Sequence, residues 1–365
     1  MKPERWTSPA SSTRRRTAVV CALSLAAPLL SCSRTQERAA PADVLWLPEP
    51  SSFATVDSAA TVAVDTFPEI LSVADARRTD RGWVLLDRRA RHVHVLDDDG
   101  DIMTFSREGD GPGELRLPLA LAATETLLAV ADASERRVSF FSPEGAFVGE
   151  ASLRHPSCPF GTLAGLAAGP TGSVFALLTC TGLDGSMDGV LFEARPGEGT
   201  REIARQVIQK VSGEVDPLRG AVVGLHRGAA YMGVVPDPCL ERVWPEPRAS
   251  NAPRRICASD APGPPLPDSL RARLEAISDR LRPSGRSVLI PDALPPFLDV
   301  SSAPPRMALR VALADGSHAL DVLEVDGRVS RIALPGDART FLAPEGLLLV
   351  RDLLVGSELT RLVFQ

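Results

Sequence analysis

The sequence predicts an all-β chain folded as a six-bladed β-propeller of four-stranded antiparallel blades. Three observations predict it. Asp87, Arg91, Val93, Leu96 and Gly100 return at a fixed offset of 45 residues as Asp132, Arg136, Val138, Phe141 and Gly145. A period of roughly 40 to 50 residues with strand-type alternation marks propeller blades. Only 5% of the 365 residues are aromatic, whereas Pro (32) and Gly (28) are frequent, as many short strands joined by tight turns require.

The elements follow from the amino terminus. Arg14 to Arg16 precede the apolar run Thr17 to Leu30, which gives residues 1–31 the layout of a secretory signal. The run is too short to span a bilayer and contains Pro28. It ends in Leu29-Leu30-Ser31-Cys32, which resembles the lipobox of bacterial lipoproteins. That resemblance implies cleavage before Cys32 and a lipid anchor on it. With Ser33 rather than an acidic residue next, it also implies an outer-membrane position facing the periplasm. The alternative is an ordinary signal peptide with Cys32 left as a plain cysteine. Cysteine arithmetic separates the two: Cys21 leaves with the signal, and lipidation of Cys32 leaves Cys158, Cys180, Cys239 and Cys257 as an even set. Residues 32–59, rich in Ala, Pro and Ser without clear periodicity, read as a flexible tether.

Residues 60–365 hold the blades. Each blade is a four-stranded meander with two hairpin signals about ten residues apart. The first unit runs Glu69 to Ala76 innermost, Gly82 to Asp87, His92 to Leu96 and Ile102 to Phe105; the second runs Leu117 to Ala123, Leu127 to Ala131, Arg137 to Phe141 and Phe147 to Leu153. Units three and four occupy Leu163 to Val207 and Val222 to Cys257 with a weaker pattern. Unit five runs from Phe297 to Leu334, and unit six has three strands between Arg339 and Phe364. An open ring exposes strand edges, so Thr61 to Phe67 is expected to supply the missing strand and close it.

One segment breaks the pattern. Within residues 259–290, between units four and five, Pro267-Asp268-Ser269 opens a helix with Leu270, Leu274, Ile277 and Leu281 on one face, stopped by Pro283 and Gly285. A helix packing that stripe on the rim is expected, with a lid or partner-docking helix as the sharper alternative.

Arg107-Glu108-Gly109-Asp110-Gly111-Pro112-Gly113-Glu114-Leu115, with Ala131-Asp132, Arg136 and Val138, resembles the NHL-repeat six-bladed β-propeller proteins of bacteria, many of them secreted or lipid-anchored. Leu289-Ile290-Pro291 and Pro295-Pro296-Phe297 resemble the entry to the fifth unit of such proteins. The resemblance runs from Val62 to the end and departs at Arg310, where an aromatic or Trp-containing strand is common. It implies a fold and binding-type roles, and carries no single activity.

Candidate chemistry is sparse. Gly109 to Gly113 lacks the Lys-Ser/Thr of a phosphate loop and reads as a tight connection between blades. Asp97, Asp99, Asp101 and Glu108 have an EF-hand-like spacing, but Ile102 stands where the sharp turn needs Gly, so Asp99-Gly100 reads as a hairpin. Asp87 with Arg91, and Asp132 with Arg136, read as hairpin-bracing ion pairs repeated between blades. His92, His94, His155, His226 and His318 show no metal-ligand spacing. No catalytic residue, metal site or cofactor is expected. In an oxidising compartment disulfides are the default, and proximity favours Cys158 with Cys180 and Cys239 with Cys257; other pairings stay open.

The net charge of −6 leaves about −10 once the basic leader is removed. An acidic body without a basic stripe argues against nucleic acid as a partner. The expected function is a lipid-anchored binding or scaffold module of the cell envelope, touching the membrane through its anchor and taking a protein, peptide or glycan. The alternative is a metal-dependent propeller hydrolase or lyase of the lactonase type, for which Asn251, the only asparagine, leaves few neutral oxygen ligands.

Overall fold

Second strands such as Gly82–Asp87 are buried at every position, because each blade packs on two neighbours and sends alternate side chains to each. Trp83 and Leu85 point into a cluster with Leu348 and Val350, while Val84 and Leu86 enter another with Leu128 and Val130. This is repeated around the molecule, and six such clusters fill the six junctions between successive blades.

The computed structural model describes residues 44–47, 53–54, 60–169, 172–210, 214–244, 252–258, 263–313, 315, 317–324, 326–336, 338–353 and 357–363. The signal segment, Cys32 and Asn251 lie outside them. Blade 1 comprises Val73–Thr79, Gly82–Asp87, His92–Leu96 and Ile102–Phe105, and blade 2 comprises Pro118–Ala123, Leu128–Asp132, Arg137–Phe141 and Phe147–Ser152. Blade 3 follows with Gly161–Ala168, Val174–Thr181, Met187–Arg195 and Gly199–Gln209, and blade 4 with Gly220–His226, Ala229–Val235, Cys239–Trp244 and Arg255–Cys257. Blade 5 is Asp299–Ala303, Arg306–Ala312, His318–Leu323 and Val329–Leu334. Blade 6 takes Arg339–Leu342, Gly346–Asp352 and Ser357–Val363 from one end of the chain and Ala60–Phe67 from the other, paired antiparallel as the fourth strand. The ring closes as expected.

Two inner strands begin later than the sequence pattern indicates. Ile70 and Phe297 were expected inside strands, yet both lie ahead of them, buried as anchors of the connections into blades 1 and 5. Asp75 and Asp299 stay within the innermost strands, and Arg77 joins them.

Within the stretch expected to be tether, two short strands pair with the ring. Val44–Trp46 runs parallel to Arg255–Cys257 on the outer edge of blade 4, and Phe53–Ala54 parallel to Arg331 and Ile332 on the outer edge of blade 5. Leu47 then donates its N–H to the Cys257 carbonyl at 2.8 Å and joins the core between blades 4 and 5. The segment from Val44 to Phe67 thus touches blades 4, 5 and 6 in turn.

The insertion forms a helix, Asp268–Leu281, continued by a single 3-10 turn, Arg282–Ser284, and ended by Gly285 at φ 72°. Leu274 is its buried anchor, packed with Leu266, Val288, Leu294 and Ala312. Ile277, expected on the same stripe, is exposed; the neighbouring Ser278 is buried instead and accepts the Val288 N–H at 3.1 Å. Ser287–Val288 pairs with Glu214–Val215, tying the insertion to the connection between blades 3 and 4.

Candidate functional site

The expected disulfides form. Cys158 bonds Cys180 within the entry to blade 3 and Cys239 bonds Cys257 across the outer strands of blade 4. They suit an oxidising, extracytoplasmic compartment.

The repeated Asp and Arg do not pair with each other, which corrects the expectation of hairpin ion pairs. Asp87 is fully buried and accepts N–H groups from Leu71 (2.5 Å), Arg89 (2.9 Å) and Ala90 (2.8 Å). Asp132 does the same one blade on, with Arg116 (2.5 Å), Leu117 (3.2 Å) and Ser134 (3.0 Å). Each carboxylate pins the connection entering its blade to the next hairpin. Arg91 and Arg136 occupy left-handed backbone at φ 60° and 51° and point elsewhere, Arg91 to Glu108 and Arg136 to the carbonyls of Cys158 and Pro159. Buried N–H groups must find acceptors, and a carboxylate beside several of them is better used there than on an exposed guanidinium.

The other singled-out residues are structural. Glu114 accepts from Gly111 N–H (2.9 Å) and Arg107 Nε (2.7 Å), and Arg137 donates to the carbonyls of Asp110, Gly111 and Glu114, which folds the Gly109 to Gly113 segment as a connection. Gly100, at φ 95°, turns the hairpin in which Asp97 accepts the Asp101 N–H at 2.8 Å, away from Glu108 on Arg91. His94 bonds Thr104 Oγ1 at 2.8 Å, and its Nε2 lies 3.9 Å from Asp87, beyond hydrogen-bond reach. Among the described residues, no three His, Cys, Asp or Glu come together as a metal site.

The six innermost strands line a central channel of about 1260 Å³. Small apolar residues such as Ala74, Ala120, Ala164, Ala167, Ala221 and Val223 share its wall with polar and charged ones in about equal measure. Among its charged groups, Asp75, Arg77, Asp299 and Arg339 come from the innermost strands, and Arg310 from the second strand of blade 5. Asp75 accepts N–H groups from Ala76 and, across the junction, from Leu121, both at 2.8 Å, and pairs with Arg77. Burial raises its pKa against the lowering pull of Arg77. Asp299 lies cross-strand from Arg310 in the register of blade 5. It faces channel water and accepts the Val300 N–H at 2.8 Å. Enclosure within the ring raises its pKa, with Asp75 adding to the rise while Val300 N–H and Arg310 oppose it. Arg310 lines the channel with a buried Nε that has no acceptor. His226 is buried, with both ring nitrogens unpartnered, and burial lowers its pKa to about 4.

Sequence reasoning missed this cluster. Its signal was present as charges within inner strands of otherwise small apolar residues, and Arg310 was noted only as a departure from a family pattern.

Fold and channel define a six-bladed β-propeller. The fold is similar to that of a putative exported protein from Bacteroides fragilis, with 10% identity, a TM-score of 0.50, and 88% of this chain and 99% of that one covered. Lower similarity links it to the calcium-binding protein regucalcin from Agrobacterium tumefaciens, with 11% identity, TM-score 0.46, and 86% and 97% of the chains covered. Virginiamycin B lyase from Staphylococcus aureus, at 9% identity and TM-score 0.43, is covered over 99% of its length by 83% of this chain. No protein-family model and no curated protein matches the sequence.

Proposed function

We propose that the protein is a binding module of the bacterial cell envelope, held by lipid on Cys32 at the outer membrane facing the periplasm, that receives part of a protein, peptide or glycan in its channel. The observation that carries the reading is the channel itself: a wide lumen whose small apolar residues alternate with polar and charged ones, Asp299 and Arg310 among them. Ligand sites are concave, and placed polar groups in them fix a ligand's orientation. The two disulfides and the leader sequence support the compartment.

Peptide and glycan arrays probed with the purified protein test the reading, with Asp299→Asn as the comparison. The expected result is a defined set of bound features that weakens in the variant. Arrays that stay blank, together with no capture from intact envelopes, would overturn it. Mass spectrometry of the mature amino terminus tests the anchor: acyl mass on Cys32 is expected, and an unmodified Cys32 ends that part of the proposal.

A further inference from the structure

Arg310 stands apart from the other channel arginines. Arg77 is held by Asp75 and donates to the Ala76 carbonyl at 2.8 Å, Arg339 donates to the Val73 carbonyl, and Arg78 is shared between Asp98 and Glu345. Among the described residues, the Arg310 side chain has no hydrogen-bond or ion-pair partner, and its Nε is buried without an acceptor. An unmet donor on a charged group is a standing penalty in a folded protein. The group is therefore primed for an incoming acceptor. A guanidinium offers parallel N–H donors in a fixed fork, whose best match is a carboxylate or phosphate.

The neighbour on the adjacent strand decides between an anion and something else. Asp299 is directly cross-strand from Arg310, so their Cβ atoms sit about 5 Å apart, yet the carboxylate is turned to the Val300 N–H and the two do not close an ion pair. The channel thus presents a positive and a negative group side by side. A free anion would meet Asp299 as a repulsive neighbour, and a free cation would meet Arg310. The complement is a small molecule that carries both charges a few bonds apart.

We infer that Asp299 and Arg310 form a binding site for a small zwitterion, an α-ammonium carboxylate, with the ligand's carboxylate on the Arg310 fork and its ammonium on Asp299. This rests on the reading of the channel as the binding site. No bond is made or broken; the ligand is held by charge and hydrogen bonds.

The test is thermal-shift and calorimetric titration of the purified protein with the α-amino acids, and with acetate, methylamine and inorganic phosphate as single-charge controls. The expected result is a shift of several degrees with at least one amino acid and none with the controls. Affinity should fall at least tenfold in Arg310→Ala and in Asp299→Asn, with Arg310→Lys between. Circular dichroism of each variant verifies the fold, and should Arg310→Ala fail to fold, Arg310→Lys and Asp299→Asn carry the comparison. Acetate or phosphate binding as well as any amino acid would overturn the zwitterion assignment, as would equal binding by wild type and variants, or no shift at all. If amino acids fail while array binding persists and depends on Asp299, this inference falls and the binding-module reading survives.

Discussion

Asp132→Ala should destabilise the protein by about 3 kcal/mol. Asp132 is fully buried and takes the N–H groups of Arg116 at 2.5 Å and Leu117 at 3.2 Å, which belong to the connection from blade 1. Hydrogen bonds to a charged acceptor contribute roughly 1.5–3 kcal/mol each, and the lower figure applies because this connection is exposed and water can replace part of the loss. Two such donors give the 3 kcal/mol, before the Ser134 contacts at 3.0 and 2.8 Å are counted. Asp132→Asn keeps one acceptor oxygen and should lose about half as much. Burial pulls the Asp132 pKa up, but the Arg116 N–H, the Ser134 hydroxyl and the remaining donors prevail and hold it below the usual 3.8. A lowered folded pKa means the carboxylate's contribution is present above about pH 4 and is lost as pH falls through the folded value. The gap between wild type and Asp132→Asn should therefore narrow below about pH 4. Urea denaturation followed by circular dichroism at pH 7 and near pH 3 measures both. A loss under 1 kcal/mol for the alanine variant, or a gap unchanged in acid, would refute the reasoning.

Gly82 sits at φ 129°, and a Cβ there would lie 2.1 Å from the Leu96 carbonyl oxygen, so Gly82→Ala should cost at least about 2 kcal/mol in a melting experiment. His226 is neutral when folded, with its pKa near 4 against an ordinary 6.5. The unfolded chain takes the proton first, so stability should fall as pH drops from about 6.5 to 4, by up to roughly 3 kcal/mol, and His226→Phe should flatten that slope. The disulfides close loops of 22 and 18 residues, and removing either as a double Cys→Ala change should cost about 3 kcal/mol in denaturant midpoints. Leu359, 2% exposed in the core between blades 6 and 1, secures the closing blade; Leu359→Ala should cost roughly 3 kcal/mol and leave the far-UV spectrum unchanged.

The ring was legible because its signal is local and repeated. Gly100 and Gly145 turn equivalent hairpins at φ 95° and 83°, and the apolar runs mark strands buried on both faces. What the repeat could not convey was the partner of each side chain. Asp87 and Arg91 recur together because one binds backbone and the other holds a left-handed turn, a distinction that residue type alone does not carry. Ile277 fits an ideal helical stripe, but Ser278 is the residue turned inward, where it accepts the Val288 N–H. Val44–Trp46 and Phe53–Ala54 are too short for any periodicity, and their strand character comes wholly from edges more than 200 residues away. The channel charges were hidden because Asp75 lies far in sequence from Asp299 and Arg310, on different strands, and only the closure of the ring gathers them around one lumen.

The shared sixth blade sets a timetable for synthesis. Ala60–Phe67 is made early, and Ser357–Val363, its hydrogen-bonding partner, follows about 290 residues later. At roughly 5–20 residues per second that interval is about 15 to 60 s, during which the first-made strand must stay unpaired while five complete blades are translated behind it. A chain that terminates before Ser357 leaves Gly346–Asp352 with an open edge and Ala60–Phe67 without its partner, so incomplete products carry a pairing surface that the complete protein hides.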